Sequence, residues 1–437
     1  VNDFLLKKEI LEDLAHYHRL WVGFSGGLDS SVLLHYLARE PLLAGKLKAV
    51  HIHHGLSAHA NDWQVHCQQF CDANNIPLTV REVQLDTKAN IEERARTARY
   101  QVFASLVGEN DALILGHHAD DQAETLLLQL CRGSGVDGLA AMPSRKYWAK
   151  GVLLRPLLHL SRQQIKAYAE QFHLTWVEDE SNQNIAFSRN YLRHQIIPLL
   201  KERWPGVVSS LGRSAAHCQQ AKNNLEHLAA MDGRAIGGYE DTLSLEPLKP
   251  LSYDRLANVL RGWLKSNQVR CPSTNSLNRL IYEVIEAPED AMPMIEWDDH
   301  RVCRYQQILY LLKRTDGAPM LSLNTAWEEF PAPLLLAEAS GGILTAILAE
   351  TGLMVPPGAQ VSVRYRQGGE LFYWHGQTKQ LKKLWQQWQV PPWQRDRVPL
   401  IYLDDDLAVV VGYAISDSYL GKKGAFVYHI EQQVRAP

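Results

Sequence analysis

The chain has 437 residues, 46% hydrophobic and 21% charged, with 45 Lys+Arg against 48 Asp+Glu and a formal net charge of −3. That length exceeds one ordinary core and implies two or three domains. The near-neutral balance excludes whole-chain attraction to nucleic acid, so any such surface must be local, and no apolar run is long enough for a membrane span.

In chain order, apolar β-leaning segments at 20–24, 47–51, 78–83 and 112–116 alternate with helical patterns at 31–38, 62–73, 91–107 and 121–131. Repeated βα units predict a doubly wound parallel α/β sheet with ligands gathered at the carboxyl ends of its strands. Residues 196–228 read as a connector helix and 231–313 as mainly helical. After Gly317-Ala318-Pro319 the text is punctuated by Pro331, Pro333, Pro356, Pro357 and Gly358. Short β-like runs at 361–365, 399–402 and 407–411 there predict a small mixed α/β domain. The expected division is 1–220, 221–317 and 318–437. Six scattered cysteines without a CxxC pair fit a reducing compartment. The start, with its early Asp3 and no signal-peptide core, makes a cytoplasmic location the expectation.

The first strand runs into Ser25-Gly26-Gly27-Leu28-Asp29-Ser30-Ser31 and then an apolar helix. Adjacent glycines let backbone N–H groups approach phosphate oxygens, the helix points its positive end at the same spot, and three hydroxyls stand by. The Walker lysine is missing; Asp29 occupies the turn, and a carboxylate beside phosphates implies a bridging Mg²⁺. At the second strand end stand His51, His53 and His54. Matching thiolates and carboxylates are absent nearby, so imidazoles lining a nucleotide pocket are preferred to a zinc site.

In the fourth helical pattern, spacing puts Glu92, Arg96 and Arg99 on one face, either a solvated ion-paired face or an arginine fork for nucleotide or RNA backbone. At the fourth strand end, His117, Asp121 and Glu124 share a helical face at i, i+4 and i+7. Capping explains Asp120 and Asp121 but not Glu124, so the carboxylates are candidates for holding metal, an ammonium group or a proton. Residues 176–184 form an acidic loop running into Phe187-Ser188-Arg189-Asn190-Tyr191-Leu192-Arg193, weak as a bare pattern. Near the C-terminus, Leu381, Leu384, Trp385 and Trp388 form an apolar stripe beside a face of Lys379, Lys382, Lys383 and Gln386. The surrounding basic set (Arg364, Arg366, Arg395, Arg397) faces only Glu370 and Asp396, which suits either a solvated surface or RNA phosphates.

The string SGGLDS resembles the pyrophosphate-binding loop of the N-type ATP pyrophosphatases (PP-loop family). Together with HIHHGL, NIEERARTARY, GHHADDQAETLLLQLCRGSGVDGLAAM, LLRPLL, EDESNQNIAFSRNYLR, RYRQGGE and KQLKKLWQQWQVPPWQRDRVPLIY, it resembles the tRNA(Ile)-lysidine synthetase family within that group. Family members commonly read HxNHG where this chain has His53 in the asparagine position. The resemblance implies a ligase that uses ATP and Mg²⁺ to adenylate the wobble cytidine of tRNA(Ile) with a CAU anticodon, and then joins L-lysine to it. It implies that Ser25–Ser31, His51 and His53 bind ATP or pyrophosphate, with Asp29 at the metal. His117, Asp121, Glu124 and Arg189 would be catalytic. Arg96, Arg99, Arg364, Arg366, Lys379, Lys382, Lys383 and Arg395 would bind tRNA. No membrane partner is expected, and the oligomeric state stays open, a homodimer included. A different PP-loop tRNA-modifying or small-molecule adenylating ligase is the alternative, and a non-catalytic nucleotide-binding regulator a further one.

Overall fold

The structure, a computed structural model, describes residues 5–53, 55, 59–83, 91–235, 240–288, 291–314, 324–336, 342–421 and 427–434, with backbone only at 91–93 and 433–434. His54, the Glu92 side chain and the 317–319 boundary lie outside the described residues. The chain divides into two compact units, Val1–His227 and Leu228–Pro437.

In the first unit six strands form one sheet: β1 (Leu20–Gly23), β2 (Leu47–His53), β3 (Leu78–Glu82), β4 (Ala112–Ile114), β5 (Arg145–Trp148) and β6 (Gly151–Leu154), in the order β3-β2-β1-β4-β6-β5. All neighbours pair in parallel except the β5–β6 hairpin. Both faces are covered, so the central strands read as continuous apolar runs. On one face pack α1 (Lys8–Ala15), α2 (Leu28–Ala38), α3 (Ala60–Ala73) and, after α4 (Ile91–Leu106), α5 (Ala119–Cys131) and the short α6 (Val136–Leu139), helix α7 (Arg162–Gln171); their core includes Val32, Leu33, Cys67, Phe70 and Ile165. On the other face Phe103 and Val107, with Tyr100 beside them, close over Trp21, Leu113 and Leu153. The sequence-predicted strands and helices are therefore present, within a few residues of their expected ends.

Strand order reverses at β1/β4, where βα loops leave in opposite directions and open a crevice at the carboxyl ends. Residues 24–27 follow β1 and residues 115–118 follow β4, so both strong motifs meet there. Gly116 permits the contact, because a Cβ on it would lie 3.1 Å from the backbone of Asp29. Beyond α7, α8 (Ser188–Tyr191) continues through a widened π-turn, Leu192–Ile196, into α9 (Ile197–Arg203); α10 (Val207–Ala235) is the expected connector helix.

The second unit departs in part from the sequence reading. The segment expected to be mainly helical does carry α11 (Tyr253–Ser266) and α12 (Thr274–Arg279), continued by a π-turn to Ile285. It also holds a four-stranded antiparallel sheet of β7 (Thr242–Ser244), β8 (Met294–Trp297), β9 (His300–Tyr305) and β10 (Ile308–Lys313), in the order β7-β10-β9-β8. These short strands cover one side of the helices, with Trp263, Leu280, Val302 and Leu309 in the shared core. Further on, strands at Val361–Arg364, Leu400–Leu403 and Asp406–Val410 pair in one antiparallel sheet as the β-like runs predict, beside a helix at Leu381–Gln387. No described helix is long and apolar enough to cross a membrane.

Candidate active site

The loop after β1 is organised by its own hydroxyls. Ser30 Oγ donates to Gly27 O at 3.0 Å and Ser31 Oγ to Gly26 O at 3.3 Å, while Ser25 Oγ accepts from the Gly27 amide at 3.3 Å. Ser30 and Ser31 are buried; they shape the cradle more directly than they face it. Gly26 has φ +79°, and a Cβ there would meet Cys67 Sγ at 3.0 Å and Val177 Cγ2 at 3.1 Å, so both its conformation and its surroundings require glycine. The Val177 amide, in the acidic segment weak as a pattern, donates to Gly26 O at 2.9 Å. That segment thus backs the cradle. Beneath it, His51 Nδ1 lies 3.0 Å from Phe24 O and 3.4 Å from Cys67 Sγ. His53 turns instead to Asn61 Oδ1, 3.1 Å away.

Asp29 opens α2 at the rim of the cradle. Its Oδ1 is buried without a hydrogen-bond partner, and His118 Nε2 stands 3.6 Å away. Burial pushes the Asp29 carboxyl above its ordinary pKa, against the pull of His118. His118, 2% exposed, also lies 3.5 Å from Asp121 Oδ2, linking the two carboxylates.

Helix α5 presents Asp121 and Glu124 to two arginines that arrive from more than sixty residues away. Arg189 donates from Nε to Glu124 Oε2 at 2.7 Å and from Nη2 to Asp121 Oδ1 at 3.1 Å. Arg193 donates from Nε to Glu124 Oε1 at 2.6 Å, from Nη2 to Glu124 Oε2 at 3.0 Å and from Nη2 to Asp121 Oδ1 at 3.0 Å. Glu124 is 1% exposed. Burial tends to raise the Asp121 pKa, but His118 and Arg189, with the backbone amide of His118, outweigh it and hold the carboxyl below its ordinary value. His117 stands half-buried beside them; burial drives its pKa down to about 3, helped by Arg155, Arg189 and Arg99, so the ring is neutral. Asp120 meets neither arginine: it accepts from the Arg162 amide at 2.9 Å and from Lys201 at 2.7 Å, with His118 Nδ1 3.8 Å away. Arg193 is the partner that sequence reasoning does not assign; its signal is the four-residue spacing from Arg189.

A cleft of about 1440 Å³ reaches Glu124, His118 and Arg193, and is walled by Asp13, Arg145, Arg162, Lys201 and Arg213 among others. None of Ser25–Ser31 lines it, nor does Asp121, so of the two paired carboxylates Glu124 alone borders it. No group of three or more metal-ligating side chains occurs among the described residues.

The expected basic surface near the C-terminus is altered at four residues. Lys379 is not on the helix: it pairs with Phe372 in a β-hairpin, and its ammonium lies 5.3 Å from the Trp374 ring centroid. Arg395 is buried, donating to Val390 O at 2.8 Å and to Tyr305 Oη at 3.2 Å, and so offers no exposed cation. Arg364 lies 4.4 Å over Tyr402 and Arg366 pairs with Asp396 at 2.9 Å. Lys382 and Lys383 are exposed, and Leu381, Leu384 and Trp385 form the buried stripe.

Three family models match the chain: a PP-loop domain over residues 5–200, a TilS substrate binding domain over 243–310 and a TilS substrate C-terminal domain over 361–431. A tRNA(Ile)-lysidine synthase of Legionella pneumophila (strain Paris) is 51% identical over 417 residues, covering 95% of this chain and 96% of that one. One of Coxiella burnetii is 40% identical over 426 residues, covering 94% and 92%. Among solved structures, the U34-tRNA thiolase NcsA from Methanococcus maripaludis aligns over 47% of this chain and 73% of its own, at 18% identity and TM-score 0.40.

Proposed function

The chain belongs to the tRNA(Ile)-lysidine synthase family, and from that premise we propose how its own residues perform the reaction. It is a PP-loop ligase that uses ATP to modify tRNA(Ile). The observation that carries the residue assignment is the Asp121–Glu124–Arg189–Arg193 cluster at the same sheet crevice as the phosphate cradle.

Backbone amides of the 25–31 loop and the amino end of α2 receive the β- and γ-phosphates, for which the glycines leave room. Asp29 fits the role of holding Mg²⁺, since its buried Oδ1 makes no hydrogen bond and has only His118 Nε2 nearby, at 3.6 Å. When bound, the ion neutralises phosphate charge. The C2 oxygen of the wobble cytidine of a CAU anticodon attacks the α-phosphorus, and pyrophosphate leaves from the cradle. The L-lysine side-chain amine then attacks C2 and expels AMP.

Asp121 and Glu124 supply two negative charges, already matched by two guanidiniums. An incoming ammonium therefore needs one of the arginines to turn elsewhere. The phosphate newly attached to cytidine is the anion that draws Arg189, the more exposed of the two, away from the carboxylates. The freed carboxylate then binds the ammonium and accepts its proton. The cleft on the far side of Glu124 gives the amine a route that does not cross the cradle. A three-domain organisation, with expected limits 1–220, 221–317 and 318–437, is supported by separate hydrophobic cores and by the three matched segments, each inside one domain, while the 220/221 limit falls within helix α10.

The test is mass analysis of the wobble nucleoside after incubating the full chain with unmodified tRNA(Ile), ATP and lysine. Lysine joined to cytidine, dependent on ATP, is the expected result. An unchanged cytidine under conditions where the enzyme releases pyrophosphate would refute the assignment.

A further inference from the structure

Beside the carboxylate cluster lies a row of cations that no described carboxylate answers. Arg96 and Arg99 of α4 lie 5.1 and 6.0 Å from the centroid of Tyr100. Trp148 meets the same ring edge-on at 5.7 Å. Side chains alternate along a strand, so Lys146 shares the face of Trp148 on β5; it is exposed. Arg155, just past β6, is 7% exposed and spends Nη1 on Pro143 O at 2.8 Å, while its buried Nε has no partner.

The electrostatics fit an incomplete site. Burial holds Arg99 and Arg155 below the ordinary guanidinium range; Tyr100 opposes this, and Arg96 presses on both in the same direction as burial. Arg189 presses on Arg99 as well, which ties the row to the reacting centre. Clustered guanidiniums with depressed basicity gain from an anion placed among them.

We propose that Arg96, Arg99, Arg155 and Lys146, with Tyr100 and Trp148 between them, bind the sugar–phosphate backbone of the unpaired RNA strand flanking the target cytidine. The inference rests on the tRNA substrate proposed above and adds Lys146, Trp148 and Arg155 to the arginines of α4. Phosphate oxygens are the shared chemistry of two sources, RNA phosphodiester and the ATP triphosphate. RNA is favoured because the 25–31 cradle already serves ATP, and because interleaved aromatic rings suit nucleosides of a single strand. Edge strand β5 adds an open side along which an extended chain can run.

The experiment uses the full chain and unmodified tRNA(Ile), with steady-state KM measured separately for tRNA and ATP. Lys146→Glu changes an exposed side chain and leaves packing alone; it should raise the tRNA KM about tenfold while the ATP KM stays within about twofold. Lys146→Ala should reduce the slope of log affinity against log salt by about 0.7, the value for one single-strand phosphate contact. Trp148→Leu keeps an apolar group on Tyr100 and should raise the tRNA KM without changing the salt slope. An unchanged tRNA KM in Lys146→Glu, or an ATP KM that rises as much as that for tRNA, overturns the proposal; an unchanged KM in Trp148→Leu removes its aromatic part. Lysidine formation by the unsubstituted enzyme is read in the same assay, so failure of the substrate reading is seen separately.

Discussion

Replacing Glu124 by glutamine tests the carboxylate cluster on two readouts at once. Glutamine preserves shape but removes one of the two charges that Arg189 and Arg193 share, and its amide NH₂ turns a donor toward guanidinium donors. Breaking a buried ion pair by removing one partner costs about 3–5 kcal/mol. The arginine side chains are 26% and 22% exposed, so water recovers part of that loss, and about 3 kcal/mol is the working value. For a unit of 227 residues, at about 2–4 °C per kcal/mol, the melting temperature should fall by roughly 6–12 °C. Below that temperature the folded variant should still release pyrophosphate with tRNA and ATP, since the cradle and Asp29 are intact, but should fail to transfer lysine. Calorimetry and a two-step assay, pyrophosphate release beside lysine incorporation, read both effects. A melting point within about 2 °C of the parent would refute the energetic argument. Equal loss of both steps would move Glu124 to the ATP site.

Asp29→Ala should abolish pyrophosphate release with little loss of melting temperature, because burial outweighs the pull of His118 and raises the carboxyl pKa, so its charge does not stabilise the fold; near-normal release by the folded variant would sink the metal assignment. For His117 the sign follows from its depressed pKa: between the unfolded value near 6.5 and the folded value of about 3, the unfolded chain binds the extra proton, so stability falls as pH falls through that window. His117→Gln should accordingly flatten the acid side of the pH–melting profile between roughly pH 6 and roughly pH 4; an identical slope would show that the ring charges freely in the fold. The Lys382→Ala/Lys383→Ala pair should raise the tRNA KM and lower the salt slope by up to about 0.9 for each phosphate left without its lysine, with ATP KM unaltered; unchanged tRNA affinity would leave that helix purely structural. Lysine binding measured by equilibrium dialysis should be weak to the free enzyme and strengthen once tRNA is adenylated, and equal affinity in both states would refute the movement of Arg189.

The cradle was legible because its chemistry is local: glycines, hydroxyls and a carboxylate follow one strand, and a left-handed Gly26 leaves its mark within a few letters. The pairing of Asp121 with Glu124 was legible for a similar reason, since residues three apart on a helix share a face. Their arginine partners were only half legible. Arg189 and Arg193 recur at a helical spacing, but nothing nearby in sequence says which carboxylates they meet, because that is settled by how α8 and its π-turn pack on α5. The β8–β10 sheet was missed for a different reason. Its strands span four to six residues each, and such short apolar runs do not separate strand from helix by periodicity alone. Lys379 and Arg395 show the same limit at single positions. A count of basic residues cannot tell a cation that closes a turn or covers a tryptophan from one left to solvent.

Charge placement explains why the two kinds of information diverge. Local sequence encodes the groups that need no partner beyond their own turn, as with the hydroxyls and amides of the 25–31 loop. A buried charge must instead find its counterion through the tertiary fold, and the fold selects among candidates of equal composition. Asp120, Asp121 and Glu124 lie within five residues of one another, yet only the last two share Arg189 and Arg193, while Asp120 pairs with Lys201 and accepts from the Arg162 backbone amide. Arg96, Arg99 and Arg155 represent the remaining case, cations drawn together by the fold without a described counterion. Among the described residues no carboxylate answers these cations, and the RNA phosphates proposed above would supply the missing charge.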